Sequence, residues 1–295
     1  MKTRRVTWLG MLGLTLGGAL SAASGREASF EWAQSGTAEF EDAAGVSMKQ
    51  SAYTVQGASF TRGKGGQFAV DGSYSWVDVD WRGNPLPGED APLYDRAEIA
   101  AVSALWTRGT GAELGFSVFA SVEAARARGS IFESVGMTDA IGYRLGGTLN
   151  FRRDAGLVVG VGVLFTPAVV ETDREWLPIL QVYWPINDKW TLQTRNGVVL
   201  SWRNDPTESQ TLSMSALWNS QEWHLGEQDG VEYSLENEGL SLGIRYGFKI
   251  GAIRLEPALQ YSFAGESTIW SDNGRVFESD LDGFLSGDIK ISYLF

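Results

Sequence analysis

Catalytic chemistry has one candidate side chain in this sequence, because His224 is the only histidine and imidazole is the usual general base near neutral pH. A serine nucleophile would need that imidazole within hydrogen-bond reach. The first serine after it is Ser234, and a His-x-Ser-Asn sequence of esterase type is absent. A hydrolase that uses His224 remains an alternative. We expect instead a histidine in a loop or at a strand end, no catalytic residue and no enzymatic activity.

The residue types of this sequence give little indication of a metal site or a cofactor site. Asp272, Asp280 and Asp282 could bind Ca²⁺ in a loop, but their spacing does not match an EF-hand. Cysteine is absent, which excludes thiolate metal sites and disulfides. No glycine-rich phosphate loop is visible. We expect a solvated acidic loop, no metal and no cofactor.

Elsewhere the chain alternates apolar and polar residues with a period of two, as β-strands do. The clearest segment is 140–166, where two alternating runs flank the turn Arg153–Gly156. Each run has roughly twelve residues, whereas strands of soluble proteins peak near five or six and membrane strands need roughly nine to eleven. The length favours a transmembrane barrel, which must close because an open edge cannot be satisfied in lipid.

We predict an all-β fold, a single closed antiparallel transmembrane β-barrel of about twelve strands, with ten to fourteen left open. Two consecutive connections, 185–188 and 204–206, are both short, which conflicts with the expected alternation of short and long turns. Pro178 and Pro257 fall inside strands and predict a bulge or a rim position there. The predicted strands are 47–61, 66–81, 95–108, 111–125, 139–153, 156–168, 175–186, 189–204, 209–223, 236–249, 252–265 and 283–295.

The N-terminal residues predict export. Lys2, Arg4 and Arg5 precede an apolar stretch of fifteen residues, Val6 to Leu20, and small residues follow it. This is typical of a Sec-type signal peptide, which we assign to residues 1–23. Residues 24–46 are small and acidic and predict a periplasmic N-terminal tail. Residues 47–295 form the predicted barrel domain.

The C-terminal segment, Gly283 to Phe295, ends in Tyr293-x-Phe295 after a clear alternation. It resembles the closing strand of bacterial outer-membrane β-barrels, in which the terminal aromatic residues form an assembly signal. The resemblance implies that Tyr293 and Phe295 are read by the barrel-assembly machinery. It also implies an outer-membrane location, with membrane lipid and lipopolysaccharide as partners.

Charged side chains on the polar faces of the strands must point into the barrel, because Arg or Lys facing lipid costs about 2–4 kcal/mol at the midplane. Their arginines could line a narrow pore that favours anions. Alternatively, they pair with carboxylates and plug the interior. The predicted lumen-lining cations are Arg144, Arg152, Arg195, Arg203, Arg245, Arg254 and Lys290, and the anions are Glu113, Glu256 and Asp288.

Aromatic residues near strand ends predict two girdles at the lipid headgroups. Ordinary packing or a carbohydrate-binding loop are the alternatives. The predicted girdle residues are Trp76, Trp184, Trp190, Trp202, Trp218 and Tyr293.

A net charge of −12 makes binding of this chain to nucleic acid unfavourable, because the phosphate backbone is also negative. The segments 184–190 and 222–225 also resemble an uncharacterised barrel family called domain of unknown function 6268, which implies no activity. We expect an outer-membrane barrel with a narrow pore for passive passage of small solutes, with anionic solutes as one option. The alternative from another class is a plugged structural or adhesive barrel with acidic external loops.

Overall fold

The computed structural model describes residues 24–86, 92–109, 113–132, 136–138, 140–153, 156–167, 174–194 and 197–295. Across these ranges no helix has the length and apolar character needed to cross a membrane. The predicted signal peptide, residues 1–23, lies outside the described residues. The strands are β1 Ser24–Ser35, β2 Ala38–Glu39, β3 Ser47–Gly63, β4 Gly66–Arg82, β5 Arg96–Gly109, β6 Leu114–Arg128, β7 Ile141–Arg152, β8 Val158–Pro167, β9 Arg174–Pro185, β10 Trp190–Thr194, β11 Gly197–Arg203, β12 Gln210–Gln228, β13 Val231–Ile250, β14 Ile253–Ser271, β15 Gly274–Leu281 and β16 Phe284–Leu294.

Fourteen of these strands close an antiparallel ring. Strands β3 to β14 pair in chain order, β14 pairs with β16, and β1 pairs with both β16 and β3. Closure pairs the first and last strands of the ring, so that neither is left as the open edge that a lipid environment would penalise. Along the ring, the ladders on β9 and β12 are incomplete beside the short strands β10 and β11. The predicted all-β closed antiparallel barrel is therefore confirmed, with fourteen strands in the ring rather than the favoured twelve.

Strand β1 is one of the two additional strands, and it corrects the expected N-terminal tail. Trp32 lies opposite Ile289 on one side and Tyr53 on the other, so this segment belongs to the wall. Its acidic residues suggested a solvated tail. In the structure Glu27 and Glu31 face inward and form ion pairs with cations of other strands, while Trp32 faces outward.

The second additional strand arises where the sequence predicted one strand over 189–204. The chain turns back in the middle, so that Leu192 of β10 lies opposite Leu200 of β11. This turn places residues of the same parity opposite each other, and the alternation of apolar and polar residues therefore continues unbroken through it. The signal that marks the turn is Asn196-Gly197, a dipeptide preferred in hairpins. The additional turn explains why two consecutive connections were short.

The outer surface of the ring is apolar. On β7 the outward side chains are 43–53% exposed, while the alternate positions face inward and are mostly small or polar. The same pattern recurs on the other strands of the ring, and we call this surface the apolar belt. The exposed side chains on β7 are Ile141, Tyr143, Leu145, Leu149 and Phe151.

Beyond the belt, at the end away from the chain termini, part of the wall continues as a second ring of smaller circumference. It consists of β2 to β6 and β12 to β15. Phe40 bridges to Leu281 and closes one side, and His224 of β12 pairs with Arg126 of β6 on the other. Strands β7 to β11 take no part in it. We call these nine strands the narrow ring.

The two prolines interrupt the sheet in different ways. Pro257 in β14 pairs with Ile289 of β16, but the ladder to β13 is broken between the pairs Arg245–Ala258 and Phe248–Leu255. Pro178 lies on the part of β9 that β10 does not reach. Each position spares the sheet a ladder bond that proline cannot make.

Candidate functional site

The interior of the fourteen-strand ring, here called the lumen, holds a network of ion pairs. Its centre is Arg245 on β13, whose Nη2 lies 3.0 Å from Glu31 Oε1 and 2.7 Å from Asp288 Oδ1. The three residues come from β13, β1 and β16, and Asp288 is largely buried. The network therefore joins β1 and β16, the first and last strands of the ring, to β13. In the sheet, β14 lies between β13 and β16.

Four other predicted cations are also paired. Lys290 Nζ lies 3.3 Å from Glu27 Oε1. Arg254 contacts Glu256 at 3.5 Å and Glu208 at 3.8 Å. Glu208 also lies 3.4 Å from Nη1 of Arg203, and Glu123 lies 3.6 Å from Nη1 of Arg144. These charges therefore largely cancel along the lumen wall.

Other predicted residues lie elsewhere. Arg152 is exposed at the end of β7, where its backbone N–H donates to the carbonyl of Glu113. Arg195 lies outside the described residues. The sequence analysis missed Glu27, Glu31 and Glu208 as partners. Alternation within 24–35 could have revealed the first two, whereas Glu208 lies in a turn and no local pattern marks it.

The predicted girdle residues lie near two levels of the wall. Trp184, Trp190, Trp202 and Tyr293 are close to the end that holds the chain termini, and Trp190 pairs directly with Trp202. At the other level Trp76 stacks on Tyr53 with ring centroids 5.3 Å apart. Their contact with lipid headgroups stays a prediction.

Trp218 completes the second level on β12, just beyond the last residue that pairs with β11. It is partly buried. Its position marks the transition from the apolar belt to the narrow ring.

An apolar core fills the narrow ring. Leu93 and Tyr94 enter from the connection between β4 and β5 and are fully buried. Tyr94 contacts Trp81 edge to face at 5.6 Å, and Trp223 at 6.3 Å. Burial raises the pKa of the Tyr94 phenol. The described residues therefore close the barrel axis at this end with side chains rather than with a water-filled passage.

His224 was expected in a solvated loop or at a strand end, but it lies within β12, four residues before the strand ends, and is buried. Its side chain is 1% exposed, and its Nε2 lies 3.6 Å from Oε2 of Glu232. The structure does place Ser234 directly opposite His224. The Ser234 hydroxyl nevertheless donates to Oε1 of Glu222 at 2.7 Å, and Ser234 is fully buried. This arrangement presents no activated nucleophile to a substrate, and the absence of enzymatic activity stays a prediction.

Beyond the belt, β12, β13 and β14 carry an acidic cluster on one face. Glu236 accepts hydrogen bonds from Ser220 at 3.3 Å and from the Trp270 indole at 3.1 Å. Burial, together with the negative charges of Glu222 and Glu238, raises the pKa of Glu236 to about 7. Near neutral pH this carboxyl group is therefore about half protonated.

The expectation of a solvated acidic loop around residues 272–282 is wrong, because Gly274–Leu281 forms strand β15, which pairs with β14. The Asp272 carboxylate accepts from the Glu232 N–H at 3.3 Å, and the Asp280 carbonyl accepts from the Glu41 N–H at 3.0 Å. In the part of the chain that the structure describes, no group of three or more acidic or histidine side chains is arranged to hold a metal ion.

No protein-family model matches this chain, and no curated protein matches it. The resemblance to domain of unknown function 6268 therefore stays a prediction. Solved structures do match over most of the chain. An outer-membrane channel from Pseudomonas putida F1 is 8% identical, with 93% of this chain and 96% of that chain covered and a TM-score of 0.49.

Two further solved structures show the same degree of likeness. The P. putida toluene transporter TodX is 9% identical, with coverages of 94% and 91% and a TM-score of 0.44. The translocator domain of the autotransporter NalP from Neisseria meningitidis is 12% identical, with coverages of 95% and 92% and a TM-score of 0.39. At these identities and scores, the likenesses carry no argument about what this chain transports or binds.

Proposed function

We propose that this chain is an outer-membrane barrel that lets small solutes pass passively. The observation that carries the proposal is a closed ring of fourteen strands with an apolar belt outside and polar, charged side chains inside. Eight-stranded barrels are just wide enough for side chains to fill, and the diameter grows with strand number. A fourteen-strand ring therefore encloses more space than its own side chains occupy.

The outer-membrane location follows from chemistry as well as from shape. Closed barrels are the β-structures that can cross lipid, since every backbone group must be paired. The basic and apolar segment over residues 1–23 predicts export. Membrane lipid, lipopolysaccharide and the barrel-assembly machinery that would read Tyr293 and Phe295 are the proposed partners.

We propose that the lumen prefers anions only weakly. Arg144, Arg203, Arg245, Arg254 and Lys290 each lie within 3.6 Å of a carboxylate. An arginine or lysine side chain that is paired in this way attracts a passing anion much less than an unpaired side chain would, because the partner carboxylate repels the anion.

A structural barrel with a plugged interior is the second candidate. The apolar core of the narrow ring favours it, since that core closes the barrel axis at one end. Both candidates predict a folded barrel, and they differ in whether solutes and ions cross it.

Single-channel recording separates the two candidates. The chain from residue 24 onward would be refolded, checked for the heat-modifiable mobility of a folded barrel, and inserted into planar bilayers under a KCl gradient. We expect discrete current steps with a reversal potential close to zero, because the lumen charges are paired. A folded barrel that inserts without any current would contradict the channel and support the plugged barrel.

A further inference from the structure

The wall of the barrel is interrupted on one side, above the hairpin formed by β10 and β11. β10 has five residues and β11 has seven, whereas the neighbouring β9 has twelve and β12 has nineteen. Only two residues separate Thr194 from Gly197 in the sequence. The hairpin therefore cannot extend far enough to pair with the rest of either neighbour.

Both neighbours consequently have an edge that the hairpin leaves free. On β9, pairing with β10 covers only Tyr183 to Pro185. On β12, pairing with β11 ends at Leu217 and the bridge to β6 is at His224. Among the described residues no strand pairs with this edge of β12 over 218–223, a length of roughly 20 Å at 3.3 Å per residue. We call the interval between these edges the side opening.

The edge of β9 is adapted to being free. The Thr194 hydroxyl accepts from the Val182 N–H at 2.8 Å and donates to the Leu180 carbonyl at 3.4 Å. Backbone groups of alternate residues face the same side of a strand, so the nitrogen of Pro178 also faces the side opening and carries no hydrogen. Proline and side-chain caps are how sheets tolerate an edge. The interruption is thus specified by the sequence.

On the β9 side, the wall beside the side opening is apolar on both faces. Outside, Trp176 is 67% exposed and Leu180 is 60% exposed, so this part of β9 belongs to the apolar belt. Inside, Leu177 and Ile179 of the same strand pack with Leu164 of β8 and against Phe119 of β6. A molecule that moves past this edge would therefore meet hydrocarbon surface on its way into the lumen.

Within the narrow ring, the end of the barrel offers no such route. The core of the narrow ring, with the fully buried Leu93, Tyr94 and Leu225, closes it. Strands β7 to β11 are not part of the narrow ring. The apolar core of the narrow ring therefore does not cover the part of the lumen that these five strands border.

We propose that the side opening between β9 and β12 is the route by which small apolar molecules pass between the outer leaflet and the lumen. The proposal rests on the channel function and adds to it the class of solute and the path. Ions and polar solutes gain little from contact with apolar side chains, whereas an apolar solute is stabilised there because its surface is removed from water.

The test uses cysteine chemistry, because the chain has no cysteine of its own. Leu180→Cys places the thiol at the outer edge of the side opening. Leu145→Cys is the matched control, since Leu145 is 50% exposed on β7, where both ladders are intact. Each variant would be expressed in the outer membrane of a Gram-negative host and labelled with benzophenone maleimide, a bulky apolar reagent.

The measured quantity is the initial rate at which cells take up the apolar fluorophore N-phenyl-1-naphthylamine. Expression of either unlabelled variant should raise this rate several-fold over cells without the barrel. Labelling Leu180→Cys should return the rate to that background, while labelling Leu145→Cys should leave it raised. A raised rate that survives labelling of both variants would overturn the proposed path.

The same proteins in planar bilayers distinguish failure of this proposal from failure of the channel itself. Current steps without any rise in fluorophore uptake would overturn the apolar solute class and leave the channel standing. Neither current nor uptake from a folded barrel would overturn both.

Discussion

Replacing Phe30 with proline is expected to prevent the barrel from closing. Phe30 lies in the middle of β1, opposite Ile291 of β16 and Val55 of β3. Proline removes the backbone N–H and fixes φ, and it cannot serve in a strand that is paired on both sides. A backbone group left unpaired in lipid costs several kcal/mol. Refolding in detergent, followed by the heat-modifiable band on a gel, measures the effect.

Two controls separate strand pairing from other effects of this substitution. Phe30→Ala removes the aromatic ring, which is 41% exposed, but keeps the N–H, so it should still fold. Thr37→Pro lies in the exposed connection after β1 and should also fold. If Phe30→Pro refolds with the yield of the unaltered chain, residues 24–35 are a dispensable tail and the closure described above is wrong.

Replacing Arg245 with methionine is expected to destabilise the folded barrel by about 3 kcal/mol, the lower end of the range for removing one partner of a buried ion pair. The lower end applies because Arg245 and Glu31 each keep about a third of their side-chain surface exposed. The substitution leaves the carboxylates of Glu31 and Asp288 close together without a cation between them. Urea titration of the barrel in detergent or liposomes measures the change in the free energy of unfolding.

If the loss of stability comes from the unpaired carboxylates, removing their charges should reverse it. Combining Arg245→Met with Glu31→Gln and Asp288→Asn removes all three charges and should restore most of the lost stability. Ile244→Met, on the lipid-facing side of the same strand, should change stability little, because it conserves volume and polarity. A triple variant as unstable as Arg245→Met alone would show that packing, and not charge, is what Arg245 supplies.

Local alternation predicted the fold class because each strand reports its own two faces. It assigned the cations of the polar faces to the interior, since any cation on a polar face must avoid lipid. It failed at β1, where Glu27 and Glu31 resemble solvent-exposed acids until their partners on β16 and β13 are known. It also failed at the hairpin of β10 and β11, where the alternation keeps its phase through the turn.

The narrow ring could not be predicted from local pattern at all. It depends on one contact between strands far apart in sequence, His224 with Arg126, and on the bridge between Phe40 and Leu281. His224 itself was misassigned for the same reason. Its side chain is buried because β12 and β6 meet in the closed sheet, and no residue near His224 in the sequence indicates that contact.

The most direct test of the fourteen-strand ring is a disulfide between its first and last strands. Ser29 of β1 lies opposite Ser292 of β16, and both side chains are buried on the inward face. Directly opposite residues fall within the Cα separation that a disulfide requires. The control pair joins Ser292 to Ser35, which lies opposite Ser286 instead.

Oxidation would be carried out on barrels already assembled in the outer membrane. A gel shift that reducing agent reverses reports the cross-link. The structure predicts a nearly complete cross-link for Ser29→Cys with Ser292→Cys and none for Ser35→Cys with Ser292→Cys. No cross-link between the first pair in folded barrels would contradict closure of the ring by β1.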